Sequence, residues 1–153
     1  MNPFDPKAAL LAKHAQHVVL VHFPIALFLT GVAFDFATRW TKEATKQATL
    51  AAGSRLNLLA AAVSVLPTLA TGIAAWQWQL DGHKLKGILL LHVALGSVSG
   101  VLICLVAGIH LRRSSGAGPS LPRYYLLLEV LTVVVVALTA HVGGFVSGVN
   151  GPS

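Results

Sequence analysis

The residues with the most chemistry to offer are imidazoles. The chain holds seven histidines, and three of them, His14, His17 and His22, fall in one stretch, HAQHVVLVHFPIALF. His92 and His141 each sit inside a later apolar run, His110 lies near the end of one, and His83 lies between runs. Neutral imidazole is the commonest protein ligand for iron, copper and zinc. An imidazole inside an apolar helix is costly unless it faces an interior with a partner. Several at one depth therefore point to metal ligation, and haem iron with two axial imidazoles suits an apolar setting best.

The elements that position them are four apolar segments. They cover residues 18–38, 56–76, 87–111 and 124–147, each reaching about the 20 residues needed to cross a bilayer core. The composition agrees: 55% of the 153 residues are hydrophobic and 10% charged, against roughly a quarter charged in soluble domains. The expected fold is all-α, an integral membrane up-down-up-down four-helix bundle forming a single transmembrane domain over residues 1–153, because short connections at 39–55, 77–86 and 112–123 favour antiparallel neighbours. The first apolar run is too long for the core of a cleaved signal peptide, and no small-x-small site follows it, so it reads as a retained span. Pro24 and Pro67 fall within spans, where membrane helices tolerate them.

The net charge of +6 does not imply nucleic acid here, because the basic residues sit in the connections, where they set topology. Arg39, Lys42, Lys46, Arg55, Arg112, Arg113 and Arg123 belong to the first and third links. Only Lys7, Lys13, Lys84 and Lys86 belong to the other side. The positive-inside rule puts both termini outside. Trp76 and Trp78 then belt the outer interface, and Trp40, Tyr124 and Tyr125 the inner one. The single Cys104 lies within the third span and forms no intrachain disulfide.

On this topology His22, His92 and His141 reach nearly the same depth from three helices, with His14, His17 and His83 above them. Spans one and three lie diagonally in a simple bundle, so His22 and His92 form the first expected haem ligand pair. His141 pairs with His17 or replaces one of the two. One haem b is expected, or two if His17 supplies a fourth ligand, since His17 and His22 lie about 140° apart around a helix. Gly96, one turn from His92 in the row His92, Gly96, Gly100, Cys104, Gly108, makes room beside the macrocycle; Gly143 and Gly144 serve likewise or end the helix. The deeper glycines of that row read equally as ordinary close packing.

His110 shares a face with His92 about 27 Å away but has no second histidine near it. Asp35 and Glu129, on the same inner side, suit hydrogen bonding better than haem ligation. Asp35 also precedes Arg39 by four residues, which allows an i,i+4 pair; a proton-relay role is the alternative for it.

The stretch from His14 to Leu27, with Gly31 and Asp35 after it, resembles the start of a family of bacterial four-span membrane proteins, domain of unknown function 2231. LPTLATGIAAW (66–76) and HVGGFVSGVNG (141–151) resemble its second-span and closing motifs. Relatives often carry a further histidine after the Gly-Gly pair; this chain reads Phe145, Val146, Ser147 and Gly148 there. The resemblance implies a multi-pass protein of the bacterial inner membrane, whose relatives occur joined to or beside redox domains.

No CxxCH, CxxC, GxGxxG or Walker pattern occurs, and no serine sits in a recognisable His/Asp constellation. The expected role is thus an electron carrier rather than an enzyme: a b-type haem protein or membrane subunit of a redox complex. Its haem lies near the outer, periplasmic face and exchanges electrons with a periplasmic cytochrome or quinol. Membrane lipid and other redox subunits are the further expected partners. Two alternatives stand beside it: a non-haem copper or zinc site, and a cofactor-free anchor or assembly subunit.

Overall fold

The computed structural model describes residues 13–79, 84–113 and 123–147. They form four helices: α1 (Lys13–Trp40), α2 (Ala44–Gln79), α3 (Gly87–Arg113) and α4 (Arg123–Val146). Each is long and apolar enough to cross a membrane. The protein is an all-α membrane bundle. The His83 connection and residues 114–122 lie outside the described residues, as do the side chains of His14 and Trp78.

The helices pack as two hairpins, α1 on α2 and α3 on α4, joined chiefly by α2 against α3, while α1 and α4 barely meet. We call the end where α1 and α3 start and α2 and α4 finish the terminal end, and the other the distal end. The first link is much shorter than the expected 39–55. It comprises only Thr41, Lys42 and Glu43, and α2 starts at Ala44. The reason is that 44–55 (ATKQATLAAGSR) is polar but rich in strong helix formers, so the helix continues where the apolar run does not. Lys46 and Arg55 therefore sit on a helix rather than in a loop. Glu43 stands just before the helix start, paired with Lys46 at 2.8 Å, where a negative charge favours the N-terminus.

Small residues set the close approach of α1 and α2. A Cβ on Gly31 would lie 2.8 Å from Leu58 Cγ and 3.2 Å from the Ser54 carbonyl. A Cβ on Gly53 would lie 2.9 Å from the Phe34 ring. Gly100 does the same for α3 against Val65 of α2, at 3.0 Å. Lipid supplies no hydrophobic force between spans, so helix association rests on such close packing. The centre is filled by Phe28, Val32, Leu58, Ala61, Val65, Ile103, Val106 and Val136. Three hydroxyls within the spans are satisfied locally: Thr38, Thr132 and Thr139 each donate to the carbonyl four residues back, at 2.7–2.8 Å. Ser99 and Thr139 also bond across α3 and α4 at 2.8 Å. Exposed Trp40 and Tyr124 stand at the distal end, as an interfacial aromatic belt requires.

Candidate functional sites at the two ends of the bundle

The buried face of α1 carries Pro24, Phe28, Gly31, Val32, Asp35 and Thr38, the i, i+4, i+7 recurrence of one helical stripe. Extended towards the terminal end, the stripe reaches His17, not His22. His17 is half-buried against α2. Its ring rests on Gly72, where a Cβ would lie 3.0 Å from His17 Cε1. Nδ1 lies 3.2 Å from the Thr68 carbonyl and 3.3 Å from Thr71 Oγ1. A carbonyl can only accept, so Nδ1 carries the proton and Nε2 keeps the lone pair that would bind a metal.

His92 of α3 is the second half-buried imidazole at this end. Its ring rests on Gly143 of α4, with Cε1 2.9 Å from where a Cβ would stand. The Thr139 main chain lies beside the ring, yet His92 Nδ1 is buried without a hydrogen-bond partner of good geometry. His17 and His92 thus both stand at the terminal end, each half-buried against a neighbouring helix. The terminal end carries one half-buried imidazole from α1 and one from α3.

The expected pair of His22 and His92 is not assembled within the described residues. His22 is exposed on the opposite side of α1, and its Nδ1 donates to the Val18 carbonyl of its own helix at 2.6 Å. His141 is likewise exposed, its ring edge-on to Phe145 at 5.1 Å. Depth alone suggested these residues; azimuth separates them from the other two. Gly96 has only Thr139 Cγ2 near it, 3.8 Å from a would-be Cβ, so it leaves little more room than an ordinary helix contact.

The distal end holds a second site, which counting histidines alone does not reveal. Asp35 of α1, His110 of α3 and Glu129 of α4 converge, each offering a ligand atom within 4.8 Å of the others. His110 Nε2 lies 3.0 Å from Asp35 Oδ2 and 3.1 Å from Glu129 Oε1. Asp35 thus has a close partner on another helix. Its side chain is 7% exposed and that of Glu129 1%. Ser54 of α2, fully buried, lies beside Asp35. A usable signal was present: His110 shares a helix face with His92, and three intramembrane ionisable residues at one depth need one another.

Four apolar helices with ionisable side chains gathered at both ends of their interior define a polytopic membrane protein built around polar sites. More particularly, the chain belongs to the family described as "Predicted membrane protein (DUF2231)", which matches residues 13–151. No curated protein and no solved structure shows a significant match.

Proposed function

We propose that this protein is a b-type haem-binding electron carrier, or the membrane subunit of a redox complex, with His17 and His92 as the axial ligands. The observation that carries this reading is the pair itself. Two imidazoles from diagonal helices stand half-buried at one end, each with its Cε1 edge on a glycine of a neighbouring helix. Other features fit the same use. The Thr68 carbonyl and Thr71 hydroxyl fix the His17 tautomer and ring orientation, which is how ligand imidazoles are held. When bound, haem supplies a one-electron redox centre. The chain's own contribution is to present Nε2 atoms, exclude water and set the polarity around them.

With both termini outside, as the basic residues suggest, this centre lies near the periplasmic face of the inner membrane. A periplasmic cytochrome or quinol is then the partner of suitable chemistry. Haem counting by pyridine haemochrome on detergent-purified protein tests the proposal. The expected result is about one haem b per chain, lost in His17→Ala and in His92→Ala. A folded, colourless protein from haem-replete cells overturns it. If that colourless protein retains copper or zinc through the same two histidines, the non-haem reading replaces it.

A further inference from the structure

We infer that the distal cluster of Asp35, His110 and Glu129 is a binding site for a divalent first-row metal ion of the zinc or manganese type. It is separate from the histidine pair and does not depend on the haem reading. Three helices contribute one ligand each, and Ser54 of the fourth stands beside Asp35. Carboxylate oxygens and an imidazole nitrogen are the donor set that zinc, manganese and ferrous iron share.

The hydrogen-bond arithmetic points to a missing cation. His110 Nε2 has one N–H at most, and it donates to Glu129 Oε1. Asp35 Oδ2, only 3.0 Å from the same nitrogen, and Glu129 Oε2 are both buried and receive no N–H or hydroxyl of good geometry, so only a proton shared between the two carboxyls relieves them within the protein itself. Ser54 Oγ is also buried without one. With both carboxyls ionised, one N–H leaves buried oxygens uncompensated, a costly state in a bundle interior that either a shared proton or a bound cation relieves. One divalent ion in contact with all three side chains removes the deficit.

Distances suit it as well. Ligands held about 2.0–2.2 Å from one ion stand roughly 3–3.5 Å from each other. The Nε2–oxygen separations of 3.0 and 3.1 Å fall in that range, and all three ligand atoms lie within 4.8 Å of one another. Binding replaces the proton on Nε2, which leaves to water.

The test is a Co²⁺ titration of full-length, chelator-stripped protein in detergent, read by visible d–d absorption and then by displacement with Zn²⁺. It is run in the wild type and in the His17→Ala/His92→Ala double variant. One saturable Co²⁺ per chain is expected in both. Glu129→Gln and Asp35→Asn, which keep side-chain volume, each weaken binding at least tenfold, with helix content checked by circular dichroism. Absence of saturable binding in the wild type overturns the inference. So does binding that survives in both isosteric variants, or that disappears only in the double variant. A haem-free protein that still binds Co²⁺ at the distal end defeats the haem proposal alone; a haem protein without this Co²⁺ site defeats this one alone.

Discussion

The terminal and distal ends of the bundle are built on the same helical spacing and hold different chemistry. On α1, His17 and Asp35 are 18 residues apart; on α3, so are His92 and His110; on α2, so are Ser54 and Gly72. Eighteen residues are five whole turns, about 27 Å, so each helix brings one face to both ends. On α4 the corresponding pair is Glu129 and Gly143, 14 residues apart, close to four turns. At the terminal end two imidazoles stay half-buried against glycines and a backbone carbonyl. At the distal end two carboxylates close on one imidazole and are sealed from their surroundings. The difference is one of charge. An imidazole can be neutral and accept partial burial, whereas two carboxylates in an apolar bundle must be enclosed with a counter-group.

That contrast predicts a contrast in stability. Glu129→Ala leaves Asp35 and His110 in a buried site with one partner gone, and breaking a buried ionic cluster costs about 3–5 kcal/mol. His92→Ala removes a half-buried ring and falls in the common range of about 0.5–3 kcal/mol. Denaturant unfolding in detergent micelles, followed by helix content, ranks the two. Equal losses, or a larger loss for His92→Ala, would break the distinction between a sealed end and an open one.

A smaller effect is expected from the seam that holds the two ends in register. Gly31→Ala places a Cβ against Leu58 and the Ser54 carbonyl, and such overpacking costs about 1–3 kcal/mol. Gly108→Ala meets nothing within 4 Å and gains helix propensity worth up to ~1 kcal/mol. The same unfolding assay should separate them in sign. If Gly31→Ala is harmless, the close approach of α1 and α2 does not set the geometry of either end.

How much of this was legible beforehand depends on which coordinate of a helix one reads. Length and hydropathy gave the four spans and the bundle, because crossing a bilayer fixes both. They misplaced the start of α2, since a helix may run on past the apolar stretch. Depth along each span groups His17, His22, His92 and His141 at one end. It could not distinguish His17 from His22, which lie at similar depths and on opposite faces of α1. Azimuth could have done so: Asp35 must face the interior, and His17 lies five turns behind it on the same stripe. The convergence of Asp35, His110 and Glu129 needed one further step, the realisation that buried carboxylates on different helices must share a counter-group. Which of several polar neighbours each one takes depends on packing that no single helix encodes.

Two glycine variants sharpen the terminal end without dismantling it. Gly143→Ala sets a methyl group 2.9 Å from His92 Cε1. The ring is the far end of a flexible side chain, so stability should change by less than ~1 kcal/mol while the ring turns away. Haem occupancy should fall several-fold, and the low-spin EPR signal, which reads the relative orientation of axial imidazoles, should shift. Gly96→Ala has 3.8 Å to its nearest neighbour and should leave occupancy and spectrum as they were. The reverse ranking would return Gly96 to the cofactor's surroundings and remove Gly143 from them.

The smallest expected effect is the most discriminating. His22→Ala and His141→Ala should leave the haem count per chain unchanged, because both side chains are exposed on faces turned away from the buried stripe. His22 is moreover tethered by its Nδ1 to Val18 of its own helix, a bond that any single chain satisfies unaided. Pyridine haemochrome counts on the two variants, set beside His17→Ala in the same preparation, decide the matter. Loss of haem in either exposed-histidine variant would mean that ligands are drawn from outward faces. The centre would then be shared between copies or with another subunit, and the terminal end would no longer be a site that one bundle encloses by itself.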